Sequence, residues 1–357
     1  MTLQLLARLR KESSKIIEAA LWVRDERFAP MIPLLLMTVL AAGAADTPAP
    51  AQAPWTWSGI EILGNHHVPR AEIEKLIPVP IGGPYSLDDP PFWKESCAAV
   101  ERTFGFAKVE CGERPLRVFD GRKAYLIVDV VERGNERFLA FRAAPRGTVP
   151  FRDPQIVSLS DGLGKKTLSA AMAGHPYRES GAKGYLSYTD ETGKNEDVTP
   201  LVEQLARLVP PHRDNLFDVL RGEQDAGKRQ SAANLLNWSG RDLDDTIREA
   251  IPLLDDPDAG VRNNLSRFMI QFVGKVRSKR LRRQLIDAFV FQIQRPGHGD
   301  RNKGLYDLLA MAKESPEDRW WIRRHGIEPI RYLARNSIVF NVKGPAEELL
   351  ALVSPGD

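Results

Sequence analysis

Apolar residues recur at three- and four-residue spacing through most of the second half of this chain, the mark of helices that each bury one face. The clearest stretch runs from Ile247 to Val273. Ile251, Leu253 and Leu254 close one short apolar helix, and Asp255, Asp256, Pro257, Asp258, Ala259 and Gly260 break it. Proline there has no backbone donor, and aspartate competes with the backbone for hydrogen bonds. Val261, Leu265, Phe268, Met269 and Phe272 then mark the buried face of a second helix. The break repeats. Asp225-Ala226-Gly227-Lys228-Arg229 and Asp258-Ala259-Gly260-Val261-Arg262 share a DAGxR signature 33 residues apart, with Leu220 and Leu253 preceding them in register. Ala232, Leu235 and Leu236 answer Leu265, Phe268 and Met269. A fixed period of this kind belongs to solenoids, in which each helix pair buries its face against the next.

Helical periodicity extends on both sides of these pairs. Val202, Leu205 and Leu208, then Leu216, Val219 and Leu220, precede them; Leu285, Phe289 and Val290 follow. Leu305 to Ala312 and Trp321 to Ala334 form a further pair, and Ala346 to Val353 closes the chain. Before residue 135 the pattern differs. Trp57 to Glu61 alternates as a strand and Gly64-Asn65 turns it. Val68 to Ile77 and Phe92 to Phe104 read as helices, with a Gly-Pro loop at Gly82, Gly83 and Pro84 between them. Phe106 to Cys111 is a short strand. Arg122 to Glu132 is a longer one, with Tyr125, Ile127, Asp129 and Val131 on one face and Leu126, Val128 and Val130 on the other. The predicted order is β-α-α-β-β, a small α+β sandwich. Ala143 to Glu196 shows little periodicity and many Gly, Pro, Ser and Thr residues, so 135–196 reads as an irregular connector.

The segment from Trp57 to Arg133 resembles a POTRA domain. The residues that carry the likeness are Ile60-Glu61-Ile62-Leu63-Gly64-Asn65, Gly82 with Tyr85, Gly105-Phe106-Ala107-Lys108-Val109, and the closing Val128-Asp129-Val130-Val131-Glu132. The loop from Pro78 to Pro91 is longer than the usual pattern. The resemblance implies a periplasmic module over 57–134 that binds partners by adding a strand to a sheet edge. Such modules often precede an outer-membrane barrel, but the tail here lacks the repeated alternating segments of one. Residues 197–357 resemble HEAT-like repeats: paired leucines in the first helix, an Asp-Asp-Pro-Asp turn, then Val-Arg opening the second. That resemblance implies an all-α solenoid of helix pairs in which Arg229 and Arg262 bond acidic turn residues. Trp238, Trp320 and Trp321 are expected to serve packing or capping, the usual work of large aromatics. With a mobile connector between the halves, a cavity in the helical core should leave the first domain untouched.

The N-terminus changes the setting. No charged residue occurs from Phe28 to Ala45, Ile32 to Leu40 is strongly apolar, and Ala42 and Ala44 end the run behind Arg24 and Arg27. Residues 1–45 thus read as a leader and signal peptide, with an uncleaved membrane anchor as the alternative, and 46–56 as a Pro/Ala-rich spacer. Cleavage predicts a mature chain beginning near Ala45 or Asp46 and a periplasmic or otherwise exported protein; the anchor reading allows membrane association through this segment. In an oxidising compartment Cys97 and Cys111, on elements expected to pack together, can form a disulfide; two buried thiols are the alternative.

Candidate chemistry is sparse. The run Gly162-Leu163-Gly164-Lys165-Lys166-Thr167 lacks the glycine and the Ser/Thr of a phosphate-binding loop, with Leu159 and Lys166 in those places. His66-His67 has no carboxylate-rich spacing around it and reads as a solvated turn. The sequence therefore implies no metal or cofactor. A net charge of +3 gives no argument for nucleic acid. One cluster stands out: between Arg262 and Arg295 nine Lys or Arg residues accompany only one acid, Asp287. Arg277, Lys279, Arg280, Arg282 and Arg283 are its candidate binding patch, for an acidic protein, anionic lipid or envelope polysaccharide, against the alternative of a solvated helix face. Surfaces outnumber reactive groups, so the expectation is a non-enzymatic scaffold for a protein partner in the envelope, met through acidic groups or strand addition. The competing reading is a hydrolase or other enzyme with its site in the connector or on the concave face of the solenoid.

Overall fold

The computed structural model describes residues 54–354 except 87, 90, 119–120, 173–176, 180–185, 189–197 and 241. The leader, signal or anchor and most of the spacer lie outside these residues, as does most of the polar run 181–197. Strand β1 (Trp55–Leu63) is followed by a short helix α1 (Arg70–Glu74), helix α2 (Trp93–Phe104), and strands β2 (Lys108–Val118) and β3 (Gly121–Val131). The sheet order is β1-β3-β2, with β1 parallel and β2 antiparallel to β3. Two glycines make the bends. Gly105 ends α2 at φ 64°, and Gly64 leaves β1 at φ 87°, where a Cβ would stand 1.9 Å from the Val130 carbonyl oxygen.

Both faces of β3 are buried, which explains its unbroken apolar run. On one face Ile60, Ile62, Leu126, Val128 and Val130 pack on Ile73 of α1 and on Cys97 and Val100 of α2. On the other, Tyr125 and Ile127 pack on Ile338 and Val339 from the helical part of the chain, and Leu63 joins the helical core itself. The expected independence of the two halves is therefore wrong: the second face of the sheet needs the helices to leave water. The described residues belong to one compact unit.

The connector is also more ordered than its composition implies. Residues 140–152 run along the helical array as a strap. Arg142 N–H donates to the Asp255 carbonyl at 2.8 Å, the Gly147 carbonyl accepts from Gln224 N–H at 2.8 Å, and Val149 N–H donates to the Glu223 carboxylate at 2.8 Å. Helix α3 (Pro154–Met172) follows, burying Ile156, Ser160 and Leu163 at the four- and three-residue spacing of one helical face. The glycine–lysine run 162–167 lies inside it. Its glycines masked the helix, because glycine weakens helical propensity by about 1 kcal/mol relative to alanine. A small hairpin, β4 (Tyr177–Glu179) and β5 (Leu186–Tyr188), completes the described part of the connector.

The remaining helices are α4 (Thr199–Leu208), α5 (Arg213–Gly222), α6 (Ala226–Leu235), α7 (Leu243–Ala250), α8 (Ala259–Phe272), α9 (Lys279–Gln292), α10 (His298–Glu314), α11 (Pro316–Asn336) and α12 (Phe340–Val353). A 3-10 turn, Ile251–Asp255, carries α7 into the Asp-rich break. Helices α3, α6, α8, α10 and α12 are neighbours in that order, and α9 packs on α11 beside them, so the array has two layers. One continuous core joins Leu220, Ala232, Leu235 and Leu236 with Leu253, Leu254, Val261, Leu265 and Phe268.

Candidate functional site at the seam of sheet and helices

The DAGxR signature has a defined geometry. Asp225 and Asp258 are N-caps, each accepting from a backbone N–H three residues on, Lys228 at 3.0 Å and Val261 at 2.9 Å. The arginine four residues after each cap turns back and reaches forward at once. Arg229 donates to the Glu223 and Gln224 carbonyls and, through Nε and Nη2, to both Asp256 oxygens at 3.0 and 2.9 Å. Arg262 does the same with the Asp256 and Pro257 carbonyls and with Asp300 at 2.9 and 2.6 Å. Each buried arginine thus bonds the turn of its own unit and an acid of the next. Burial pushes the Asp256 carboxyl up, but Arg229, Arg142 and the Asp258 amide together hold it below its ordinary value.

The series continues, with a change of partner. Arg301, 39 residues after Arg262 and four after the cap residue Gly297, donates back to the Arg295 carbonyl at 3.1 Å. Its forward partner is Asp129 of β3, and the Gly297 N–H donates to the same carboxylate at 2.7 Å. An acid on the sheet occupies the place that a helical unit would otherwise supply. Beside it, Glu61 of β1 is fully buried and accepts from Ser337 Oγ at 2.5 Å and from the Ile338 and Val339 N–H groups at 3.0 Å. The His298 ring stands 3.8 Å from its other oxygen. Burial pushes the Glu61 carboxyl up, yet His298, Ser337, the Arg301 charge and the Val339 amide hold it below the ordinary value. Burial alone lowers the Arg301 guanidinium, to about 10.

Above this network the seam opens into a cavity of about 340 Å³. Leu63, Val130, Phe138, Ile293 and Leu333 form its apolar walls, and His66, Glu132, Arg301 and Tyr332 supply polar atoms. The two histidines are not a free turn. His66 packs on the Tyr332 ring at 4.6 Å between centroids, and the His67 ring lies 2.5 Å from the Glu132 carboxylate. The Tyr332 hydroxyl accepts from Gly64 N–H at 2.8 Å. The described lining carries His66, Glu132, Arg301, Glu328 and Tyr332 as its ionisable groups, and the His67 ring meets Glu132 from outside that lining.

The basic patch divides on inspection. Arg282 is structural, donating to Asp318 and to the Val273 carbonyl at 2.6 Å. Lys279 and Arg283 share Glu317 at 2.7 and 3.0 Å, and Arg277 and Arg280 are exposed. Cys97 and Cys111 form a disulfide that ties α2 to β2. Trp238 is buried, but Trp320 is 54% exposed, against the expectation that it packs or caps. It lies on the outward side of α11, beyond the face that α9 and α12 cover.

The signal for the seam was present in the chain. A carboxylate at Asp129 amid Tyr125, Ile127 and Val131 is a charge on a face that should be buried; Glu61, whose strand neighbours Ile60 and Ile62 point to the opposite face, gave no such signal. No protein-family model and no curated protein sequence matches this chain. The solved structure of an engineered protein from the Northeast Structural Genomics Consortium shares 14% identity over 56% of this chain and 79% of its own, with a TM-score of 0.35. That likeness is too distant to carry an argument. What stands is a small three-stranded sheet followed by an all-helical region.

Proposed function

We propose that this chain is a non-enzymatic binding scaffold of the cell envelope, in which a POTRA-like module is fixed on a HEAT-like helical solenoid and receives a protein partner by strand addition at β2. The observation that carries the reading is the unequal treatment of the two sheet edges. The outer side of β1 is capped at its start by the 82–85 loop, with Trp57 N–H donating to the Gly83 carbonyl at 2.9 Å and Gly82 N–H to the Trp57 carbonyl at 2.8 Å. No described strand pairs with the outer side of β2. Pro115 lies within β2, as suits an edge strand, and the Glu101 carboxylate takes the Val109 N–H at 2.8 Å, so an added strand would pair along Glu110–Arg114 between them. An open edge held rigidly from behind is what strand addition requires.

Photo-crosslinkers placed at Glu110 on β2 and at Lys75 beyond α1, with the protein expressed in a bacterial envelope, test this. The reading expects a defined adduct from Glu110, absent from Lys75, together with slowed amide exchange across Lys108–Val118 when the captured partner is added back. Adducts from Lys75 alone, or unchanged exchange in β2, would remove strand addition from the proposal.

A further inference from the structure

The outward face of α11 carries a combination that the scaffold reading does not use. Trp320, Arg323, Arg324 and Ile327 follow one another at helical spacing and border a surface groove of about 430 Å³. Trp320 is more than half exposed, and the Arg324 guanidinium stacks over its ring at 5.4 Å. The face continues onto α9. Trp320 and Trp321 lie 5.8 Å apart, Arg283 stacks over Trp321 at 4.9 Å, and Lys279 and Arg283 stand beside Glu317. Lys279, Arg280, Arg283, Arg323 and Arg324 here outweigh Glu317 and Asp287. From Arg319 to Arg335 there are five arginines and one acid, Glu328, which pairs with Arg331 at 2.5 Å.

We infer that this face docks on an anionic phospholipid surface. An exposed indole beside guanidinium groups matches the depth order of a bilayer interface: the ring sits at headgroup level, and the long basic side chains reach phosphate while their stems cover apolar surface. The charges alone would also attract an acidic protein, so the vesicle and polyglutamate arms below separate the two. No helix among the described residues is long and apolar enough to cross a membrane, and the contact inferred here lies along the outward side of α11.

Co-sedimentation of the full chain with phosphatidylcholine vesicles, with and without phosphatidylglycerol, tests the inference. Binding should rise with phosphatidylglycerol and fall with salt, as Debye screening demands. Each arginine near an anionic surface strengthens binding roughly fivefold, so Arg323→Glu with Arg324→Glu should abolish the phosphatidylglycerol-dependent increment, a loss of more than about tenfold. The milder pair Arg323→Gln and Arg324→Gln should lose part of it. Brominated acyl chains should quench part of the wild-type tryptophan emission, and the phosphatidylglycerol-dependent part of that quenching should fall in Trp320→Phe. Any binding driven by residues 1–53 persists in all variants and cancels in the comparison. An increment that survives both arginine pairs, or tighter capture of soluble polyglutamate than of vesicles that the same variants remove, would overturn the inference, the latter assigning the face to an acidic protein.

Discussion

Two sets of arginines in this chain have the same chemistry and opposite fates. Arg229, Arg262 and Arg301 are 2%, 3% and 4% exposed and are bonded at both ends of the guanidinium fork. Arg280, Arg283, Arg323 and Arg324 stand in water. What separates them is position relative to a helix start, not local charge density. An arginine four residues after a cap points back into the turn and forward to the next unit, where carbonyls and a carboxylate satisfy it. Arg283 and Arg324, elsewhere on their helices, meet exposed partners instead, Glu317 and the Trp321 ring for the first and the Trp320 ring for the second. The first set builds the molecule, and it also binds the sheet, because the last of the series accepts Asp129 in place of a helical acid. The second set is free to act outward.

The largest expected effect comes from breaking the buried set. Arg262→Ala leaves the Asp300 carboxylate buried without its partner and removes the guanidinium that stacks on Phe141 of the strap at 4.5 Å. Denaturant titration should show a loss of about 3–5 kcal/mol, and Arg262→Lys should recover only part of it because the two-point geometry is lost. A loss below about 1 kcal/mol, the range of exposed pairs, would erase the distinction between the two sets.

Next in size is the disulfide. Cys97 and Cys111 close a loop with a sequence separation of 14, and replacing both with alanine should cost about 3 kcal/mol in protein isolated oxidised. Alkylation before reduction checks the premise: two alkylatable thiols in protein taken from its native compartment would contradict it.

Buried acids sharpen the comparison from the other side. Asp307 on α10 is fully buried, and neither of its carboxylate oxygens finds a hydrogen-bond donor among the described residues. Burial raises its carboxyl well above the ordinary value, with the Lys303 charge opposing. A raised folded pKa means that the folded chain holds the proton more tightly. Asp307 therefore costs nothing below the ordinary carboxylate range and destabilises progressively as pH rises from there toward its raised value. Asp307→Asn should gain about 1–3 kcal/mol at neutral pH and nothing in acid. Glu61, held below its ordinary value, has the opposite sign: its contribution is present above the ordinary range and is lost as pH falls through its lowered value. Stability curves against pH for Asp307→Asn and Glu61→Gln should accordingly meet the wild type in acid and depart from it toward neutral pH in opposite directions, the first above it and the second below.

The smallest effect belongs to the exposed set. Arg280→Glu with Arg283→Glu should change stability by less than about 1 kcal/mol, since Arg283 and Glu317 are both well exposed. A larger loss in thermal melting would mean that these arginines are structural after all.

How much of this was legible depended on whether a feature had a period. The DAGxR turns and the core positions Leu265 and Phe268 declared themselves through spacing alone, because each unit repeats the same packing problem. Helix α3 did not, since Gly162 and Gly164 argue for a loop while Ile156, Ser160 and Leu163 argue for a buried face, and tertiary packing decided between them. The strap at 140–152 has no period at all; its order comes from partners such as Glu223 and Asp255, distant in the chain. Asp129 was visible as a charge on an apolar face, but Glu61 read as the polar position of an alternating strand, and their partner Arg301 was hidden because its unit reads Gly-His-Gly-Asp-Arg rather than the DAGxR of the others. Trp320 was misjudged for a simple reason: the periodicity of α11 shows that one face is buried but not that a tryptophan stands off it.

The central claim is that the sheet and the helical array open as one unit because Asp129 and Glu61 tie them together. Native-state hydrogen exchange in rising denaturant tests this directly, by following Ala124–Val131 of β3 and Val261–Phe268 of α8 in the wild type and in Asp129→Asn. The two sets of amides should share one opening free energy in the wild type, and in Asp129→Asn the β3 amides should open first, at a lower free energy than those of α8. Separate openings already in the wild type, or a common opening unchanged by Asp129→Asn, would contradict it.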